Sequence, residues 1–273
     1  MPTESKIRRG APISPRLDLP PPFRAVTLRE VGDAFAHAVA IAAQEGAGTL
    51  VHVGRFAFAE FAVVLEPDEP LRTARRALYA GMSALGDALA AIVPPKKTIS
   101  FGWPDAVRVD GGLVGGARLA WPPQALEDEP PAWLVFGVMI RLVTTGEDEP
   151  SLQPLAAVLD DEESNTLDGG VLAAHFARHL MAAFDTGQEK GFGEVARNYL
   201  SRLAPAGAEL REVGPADRPN AIRRDIDHEG NLLIRYADTG KVEQRSLAGA
   251  LAAPSWLDSA ERDARELKRP DGG

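Results

Sequence analysis

The residues of this chain whose types and spacing best suit ligand chemistry lie between positions 100 and 122. The stretch reads SFGWPDAVRVDGGLVGGARLAWP and contains no lysine, histidine or cysteine. Its turn, Trp103-Pro104-Asp105, precedes a predicted strand pair that carries Gly115 and Gly116. Paired glycines let a ligand approach backbone N–H groups that bind carboxylates, and they equally allow a bulge or tight packing against a neighbouring strand. The stretch therefore predicts either a ligand cradle or a closely packed hairpin.

Three further side chains could supply positive charge beside such a cradle. Arg118 lies two residues beyond Gly116, so the two residues share one face of a strand. His52 and Arg55 lie at the end of the predicted strand GTLVHVGR. An arginine neutralises an anion in a bidentate manner, although each of these residues is also an ordinary surface charge. Arg55 and Arg118 are therefore candidate cations, and His52 is a candidate ligand-binding residue.

A histidine pair is the other constellation that could do chemistry. His175 and His179 are four residues apart in HFARH, which places them on one face of a predicted helix. Zinc sites use this spacing, but the glutamate of the His-Glu-x-x-His pattern and a third ligand are missing. A structural or solvated pair is favoured, the acidic runs EDE and DDEE are expected to be solvated loops, and no metal site is predicted.

The composition limits the class of protein. A net charge of −9 disfavours both nucleic acid and an anionic membrane surface as partners. The chain has no cysteine, which excludes disulfides and thiolate nucleophiles. There is no apolar run long enough to span a membrane and the N-terminus does not read as a signal peptide, so we expect a cytoplasmic protein.

Hydrophobic periodicity predicts an α+β fold that positions these candidates. Thr27-Leu28-Arg29-Glu30 matches a capping box and predicts a helix that ends near residue 45. The strands GTLVHVGR and FAVVLEP follow, and then a helix that Pro70 opens and Pro94-Pro95 ends. The glycine-bearing stretch forms a hairpin, WLVFGVMIRLV forms a central strand, and two helices come after it.

A proline- and glycine-rich segment, APAGAELREVGPADRPN, indicates a domain boundary. The residues beyond it alternate in short strands, and because a single hairpin is marginal alone, a small barrel is favoured. We predict an extended N-terminal arm over 1–24, a main α+β domain over 25–203, a linker over 204–217, a small β-barrel-like domain over 218–258 and a flexible tail over 259–273.

The motif Trp103-Pro104-Asp105, followed by V-x-V-D-G and L-V-G-G, resembles the biotin/lipoate protein ligase family. That family's pattern runs Lys-Trp-Pro-Asn-Asp, a short strand, a turn, and Lys-hydrophobic-small-Gly. Gly46-Ala47-Gly48 stands where the family carries its Gly-Arg-Gly loop, and the last alternating unit looks like the family's SH3-like C-terminal barrel. The resemblance spans residues 25 to 250 in the order of elements. It implies a mixed sheet with helices packed on it, akin to class II synthetases.

The resemblance also implies a two-step reaction. Biotin or lipoate attacks the α-phosphate of ATP, with Mg²⁺ assisting, and a lysine of a biotinyl or lipoyl carrier domain then takes the acyl group. Two negative groups approach each other in the first step, so cations must stabilise them. At three positions where the family has a cation, this chain has Ala47, Gly102 and Leu113.

The residues that the resemblance assigns to ligand binding share the two glycine motifs, the strand between them and the aromatic turn: Gly46, Gly48, His52, Trp103, Pro104, Asp105, Gly115 and Gly116. Trp103 and Pro104 could wall an adenine or acyl pocket, or Trp103 could be a core residue before a turn. Asp105 could hold Mg²⁺ or a ribose hydroxyl, or it could cap the turn. The family has Asn-Asp at this point and this chain has Asp-Ala, which favours the turn cap.

Two classes of function follow from these residues. One is a divergent ligase that still forms an acyl-adenylate, with Arg55 or Arg118 in the lysine's role and the catalytic residues otherwise unknown. The other is a non-catalytic protein that binds a cofactor, a nucleotide or a partner on the same scaffold. Loss of the lysine without compensation would nearly silence catalysis. An acyl transferase ranks last, because the related octanoyl transferases use a cysteine.

Overall fold

The computed structural model describes residues 17–142, 168–204, 221–236 and 239–257. The main sheet contains β1 (Arg24–Leu28), β2 (Thr49–Gly54), β3 (Phe58–Leu65), β4 (Ile99–Gly102), β5 (Ala106–Val109), β6 (Gly112–Ala120) and β7 (Leu134–Arg141). The helices are α1 (Ala34–Glu45), α2 (Leu71–Ala74), α3 (Ala77–Ile92), α4 (Gly169–Lys190), α5 (Phe192–Arg202) and α6 (Leu247–Ala250). A small sheet contains β8 (Ala221–Ile226), β9 (Leu232–Tyr236) and β10 (Val242–Arg245).

The main sheet is mixed, with the strand order β1-β2-β3-β7-β6-β5-β4. Only β1 and β2 pair in parallel, and the other neighbours are antiparallel. The predicted mixed sheet with packed helices is confirmed, and the apolar β7 is the central strand. The C-terminal strands pair in the order β10-β9-β8, a small sheet consistent with the predicted C-terminal unit.

The two faces of the sheet bury different clusters because side chains alternate along each strand. In β7, Leu134, Phe136, Val138 and Ile140 enter the large core beneath α3, α4 and α5. Val135 points to the opposite face of the sheet and packs with residues of α1. The small sheet joins the large core through β9 and α6, where Leu232 and Leu247 are buried. Among the described residues, α3, α4 and α5 therefore pack on one face of the sheet and α1 packs on the other.

The start of α1 differs from the prediction. The capping box at Thr27–Glu30 is wrong, because Thr27 lies in β1 and pairs with His52. Asp33 is the N-cap instead, and its carboxylate accepts a hydrogen bond of 2.8 Å from the Ala36 N–H. Pairing with β2 satisfies the backbone of Thr27, so strand geometry prevails over a local capping pattern.

Two other boundaries were also missed. The helix predicted from Pro70 is divided into α2 and α3, which meet at Arg75 and Arg76. Residues Ile99–Gly102 form β4, an edge strand that pairs with β5. Of the predicted arm, residues 17–24 are described: Leu17, Leu19 and Phe23 pack against the large core, and Arg24 begins β1. The predicted tail and most of the predicted linker lie outside the described residues.

Gly81 provides a test of how tightly α3 packs on the sheet. A Cβ at Gly81 would lie 2.4 Å from Cε2 of Phe136, a ring of the large core. We expect Gly81→Ala to lower the free energy of unfolding by about 1–3 kcal/mol through overpacking. Gly193→Ala in α5 is the matched control, because nothing lies within 4 Å of its Cβ position. Urea denaturation would contradict the packing if the two variants had equal stability.

Candidate functional site

The sequence motifs converge on one end of the sheet, on the face that carries α1. A row of register partners crosses the sheet there: Gly102, Ala106, Gly116, Met139, Glu60 and Val53. The register of β5 and β6 shifts between Val107 and Arg108, and this bulge brings Leu113 into the same apolar cluster as Ala106. We call the surface formed by Phe58, Ala106, Leu113, Gly116 and Met139 the cradle.

The two glycines of the cradle motif have different roles. Gly115 has a φ of 143°, and a Cβ there would lie 2.0 Å from the carbonyl oxygen of Met139. The close approach of β7 thus accounts for Gly115, in agreement with the packing interpretation. A Cβ on Gly116 would instead lie 2.3 Å from Cδ1 of Trp256 and 2.3 Å from the Asp105 carbonyl oxygen. Gly116 therefore leaves room for a planar group above the sheet.

That room is filled by the indole of Trp256, from the segment that follows α6. Trp256 is fully buried and belongs to one apolar cluster with Phe58, Ala106 and Leu113. Its Nε1 donates a hydrogen bond of 2.9 Å to the Ala117 carbonyl oxygen. The indole thus makes both apolar contacts and a hydrogen bond within the cradle.

Asp105 fixes the same segment from the side. Its carboxylate is 1% exposed, and Oδ1 accepts hydrogen bonds from the Ser255 hydroxyl and, at 3.2 Å, from the Ser255 N–H. The Asp105 carbonyl oxygen accepts a further bond of 2.8 Å from the Ala117 N–H. The turn residue of the motif therefore binds the C-terminal segment.

The aromatic turn is anchored from the helical side of the sheet. Trp103 packs against the large core, and its Nε1 donates to the Tyr79 hydroxyl at 3.1 Å. That hydroxyl donates in turn to the Gly230 carbonyl oxygen at 2.6 Å. Burial raises the pKa of the Tyr79 phenol, against a smaller lowering effect of the Trp103 hydrogen bond. The Pro104 carbonyl oxygen accepts from the Tyr199 hydroxyl at 3.0 Å.

The candidate cation Arg118 lies at the cradle. Its guanidinium carbon is 5.7 Å from the centre of a Trp256 ring and 5.3 Å from the centre of the Phe35 ring. Both distances fit cation–π contacts. The guanidinium thus lies beside two aromatic groups of the protein itself.

The other candidate cation, Arg55, connects the β2–β3 turn to the start of α1. It donates to the carbonyl oxygens of Glu30 and Gly32 at 2.6 Å and 2.7 Å. Its Nη1 also lies 2.7 Å from Oε2 of Glu60, an ion pair without hydrogen-bond alignment. Oε1 of Glu60 accepts from the Ala34 N–H at 2.8 Å, in the first turn of α1. Arg55 therefore balances a buried carboxylate.

His52 faces the helical side, away from the cradle. It lies in β2 opposite Phe61, a residue of the large core, and its imidazole is near the N-terminus of α4. Burial lowers the pKa of His52, against a smaller raising effect of the Asp168 carboxylate. Its Nδ1 has no hydrogen-bond partner among the described residues. The structure therefore does not bring His52 to Gly116.

The loop Gly46-Ala47-Gly48 lies at the opposite end of β2 from the cradle. Gly46 ends α1, and the Gly48 N–H donates to the Val64 carbonyl oxygen near the end of β3. Ala47 and Gly48 instead line a separate cavity of about 490 Å³, with Phe23, Phe184 and Phe192 among its walls. The structure therefore does not bring Gly46 and Gly48 together with Gly115 and Gly116. The turn between β2 and β3, Arg55–Ala57, is the loop that lies beside the cradle.

Neither a metal centre nor a membrane span is found in the part of the chain that the structure describes. His175 and His179 lie on α4, and no group of three or more histidine, aspartate or glutamate side chains there could hold a metal ion. No helix among the same residues has both the length and the hydropathy needed to cross a membrane.

Sequence reasoning missed four residues at this end of the sheet. Ser255 and Trp256 lie far along the chain in a segment without a motif, and Glu60 lies within an apolar strand. Arg141 ends β7 opposite Phe58, is 8% exposed, and falls on the cradle side of the alternation. The sequence did contain a signal for Glu60 and Arg141, because an ionised side chain inside an apolar strand needs a partner. No comparable signal marked Trp256.

Comparison with known proteins identifies relatives of this chain. The sequence model of the Biotin/lipoate A/B protein ligase family matches residues 19–201. A biotin–[acetyl-CoA-carboxylase] ligase of Paracoccus denitrificans is 27% identical over 181 residues, which cover 63% of this chain and 72% of that protein.

Solved structures share the fold. A biotin protein ligase-like protein of unknown function from a Silicibacter species matches with a TM-score of 0.73 and 23% identity, over 87% of this chain and all (100%) of that one. The biotin protein ligase of Aquifex aeolicus matches with a TM-score of 0.61 and 15% identity, over 82% of this chain and 96% of that one. The same Aquifex protein in complex with biotin and ATP gives a TM-score of 0.58 and 16% identity, over 81% and 95%.

The ion pair of Arg55 and Glu60 can be tested by its effect on stability. We expect Arg55→Ala to lower the free energy of unfolding by about 1–3 kcal/mol, because it leaves a buried carboxylate without its cation. Adding Glu60→Gln should recover part of the loss. Arg72→Ala is the control, since Arg72 pairs with the exposed Asp128 and should cost less than about 1 kcal/mol. Equal losses for Arg55→Ala and Arg72→Ala in urea denaturation would contradict the assignment.

The lowered pKa of His52 predicts a pH dependence. The folded protein binds a proton at His52 less readily than the unfolded chain, whose histidine pKa is about 6.5. The stability that His52 contributes is therefore complete above pH 6.5 and decreases as the pH falls below it. We expect the stability difference between wild type and His52→Gln to change between about pH 7.5 and about pH 5.5. A constant difference in denaturation experiments would show that His52 titrates alike in both states.

Proposed function

The chain belongs to the Biotin/lipoate A/B protein ligase family, and we propose that it binds the carboxylic-acid cofactor of such enzymes without activating it with ATP. The observation that carries this proposal is the environment of Leu113. It stands where the family has a central lysine, and it is 2% exposed within the apolar cluster of the cradle. Biotin is the favoured cofactor, because the named relatives are biotin ligases, and lipoate is the other acid of the family.

Binding without activation follows from the charges at the cradle. Adenylation brings a carboxylate against a phosphate, so cations must face the ligand. Arg55 is engaged by Glu60 and by two backbone carbonyl oxygens. Arg118 lies beside two aromatic rings. By contrast, the shape of the cradle is retained: Gly116 lacks a Cβ, and apolar side chains surround it. The apolar surface that the Trp256 indole covers suits a ring system better than a triphosphate.

A second candidate is an ATP-dependent ligase, and Arg141 is the observation that favours it. This arginine is buried at the cradle end of β7, next to the bulged β6. In that function it would neutralise the developing negative charge in place of the missing lysine. The acid would displace pyrophosphate from ATP, and a lysine of a biotinyl or lipoyl carrier domain would then displace AMP. Because no cluster among the described residues fits a metal ion, we derive no step through Mg²⁺.

One experiment separates the two functions. The purified protein is incubated with ATP, Mg²⁺ and biotin, or with lipoate, and pyrophosphate is measured; binding of each acid is measured by calorimetry. We expect binding of at least one acid and no pyrophosphate above background. An active biotin ligase is the positive control.

Two results would contradict the proposal. Acid-dependent pyrophosphate release that Arg141→Ala abolishes would establish the ligase function instead. Absence of binding for both acids, in wild type and in a variant with an opened cradle, would exclude a cofactor-binding role for this site.

A further inference from the structure

The cradle contains a part of the chain itself, in the place where a ligand would lie. The indole of Trp256 is fully buried, and its Cδ1 lies 2.3 Å from the point where a Cβ of Gly116 would be. A tryptophan in this position needs glycine beneath it. The absence of a side chain at position 116 is thus matched by a large side chain contributed from far along the sequence.

The attachment of this segment to the cradle has two parts. The indole N–H donates to the Ala117 carbonyl oxygen at 2.9 Å, and the N–H and hydroxyl of Ser255 donate to the Asp105 carboxylate. Ala117 and Asp105 flank Gly116, so both attachments border the cradle. The ring resembles a bound small molecule in its chemistry, since it is planar, bicyclic and apolar, with one N–H donor.

The segment does not belong to the sheet. Residues 251–257 follow α6 and form turns and the helical residues 255–257, and Leu257 is 43% exposed next to the fully buried Trp256. Among the described residues, the backbone–backbone hydrogen bonds of this segment are local, such as that from the Leu257 N–H to the Pro254 carbonyl oxygen at 3.2 Å. A segment without strand pairing can leave at a lower cost than a strand of the sheet.

We propose that Ser255–Trp256 is an internal ligand that closes the cradle, and that a small molecule binds there only after this segment has left. The site then takes a compact ring system, and a ring with an N–H donor can bind the Ala117 carbonyl oxygen as the indole does. This inference rests on the proposed function in one respect, namely that biotin or lipoate is the molecule that competes. The apparent affinity for any competitor is reduced by the fraction of molecules in which the cradle is open.

The test uses the full-length chain with Trp256→Ala, and free indole, biotin and lipoate as probes. We expect indole to raise the melting temperature of Trp256→Ala and to leave that of wild type unchanged, because the variant has an indole-sized slot. We expect biotin or lipoate to bind Trp256→Ala about tenfold or more tightly than wild type. Trp121→Ala is the matched control. Trp121 lies beneath the guanidinium of Arg75, outside the cradle, so its loss should produce neither effect.

The outcomes distinguish this inference from the proposed function. If indole stabilises Trp256→Ala but neither acid binds it, the internal ligand stands and the cofactor-binding function fails. If an acid binds wild type and Trp256→Ala equally well, the cofactor-binding function stands and closure by Trp256 is overturned. A folded Trp256→Ala that ignores indole also overturns it.

A second measurement covers the case in which Trp256→Ala does not fold. Trp256→Phe keeps an aromatic ring and loses the N–H donor, so we expect it to fold and to bind the competing acid more tightly than wild type. In wild type, a saturating acid should increase hydrogen exchange in residues 251–257, and the exchange of α1 should stay unchanged. Unaltered exchange in residues 251–257 with the acid bound would contradict displacement.

Discussion

The indole of Trp256 packs directly on the backbone of Gly116. The space above Gly116 can hold either a side chain at position 116 or this indole ring, but not both. This contact determines how the surrounding residues are used. The Ala117 carbonyl oxygen accepts a hydrogen bond from the indole N–H, and the Asp105 carboxylate accepts one from the Ser255 N–H. Leu113 packs in the same apolar cluster as the indole. Because the ring excludes water, a charged side chain at position 113 would be desolvated without a partner. The apolar character of the cradle is thus a consequence of its occupant.

The positive charge of Arg55 at this end of the sheet stabilises the fold. Glu60 is buried in β3, where it accepts a hydrogen bond from the first turn of α1. A buried carboxylate requires a cation, and Arg55 supplies it while also binding two carbonyl oxygens. The polar groups therefore position α1 on the sheet. Each guanidinium nitrogen of Arg55 takes part in one of these contacts.

The sequence predicted those features of the fold that depend on local periodicity. The hairpin of β5 and β6, the apolar β7 and the long α3 were all read from alternation or helical spacing. His52 was selected for its position near the end of its strand, and only the pairing of β2 with β3 shows which face of the sheet it takes. The glycine loop at Gly46–Gly48 was placed by its order along the chain, although strand direction puts it at the far end. The role of Trp256 could not be predicted from local patterns, because its hydrogen-bond partner Ala117 is 139 residues away in sequence.

The burial of Leu113 beside Trp256 also limits which sequences can lie close to this one. A lysine at position 113 would enter an apolar cluster that is already full, and a smaller residue at 256 would leave the cradle with a cavity. Each change is unfavourable until the other has occurred, so the effects of substitutions at positions 113 and 256 on stability should not be additive.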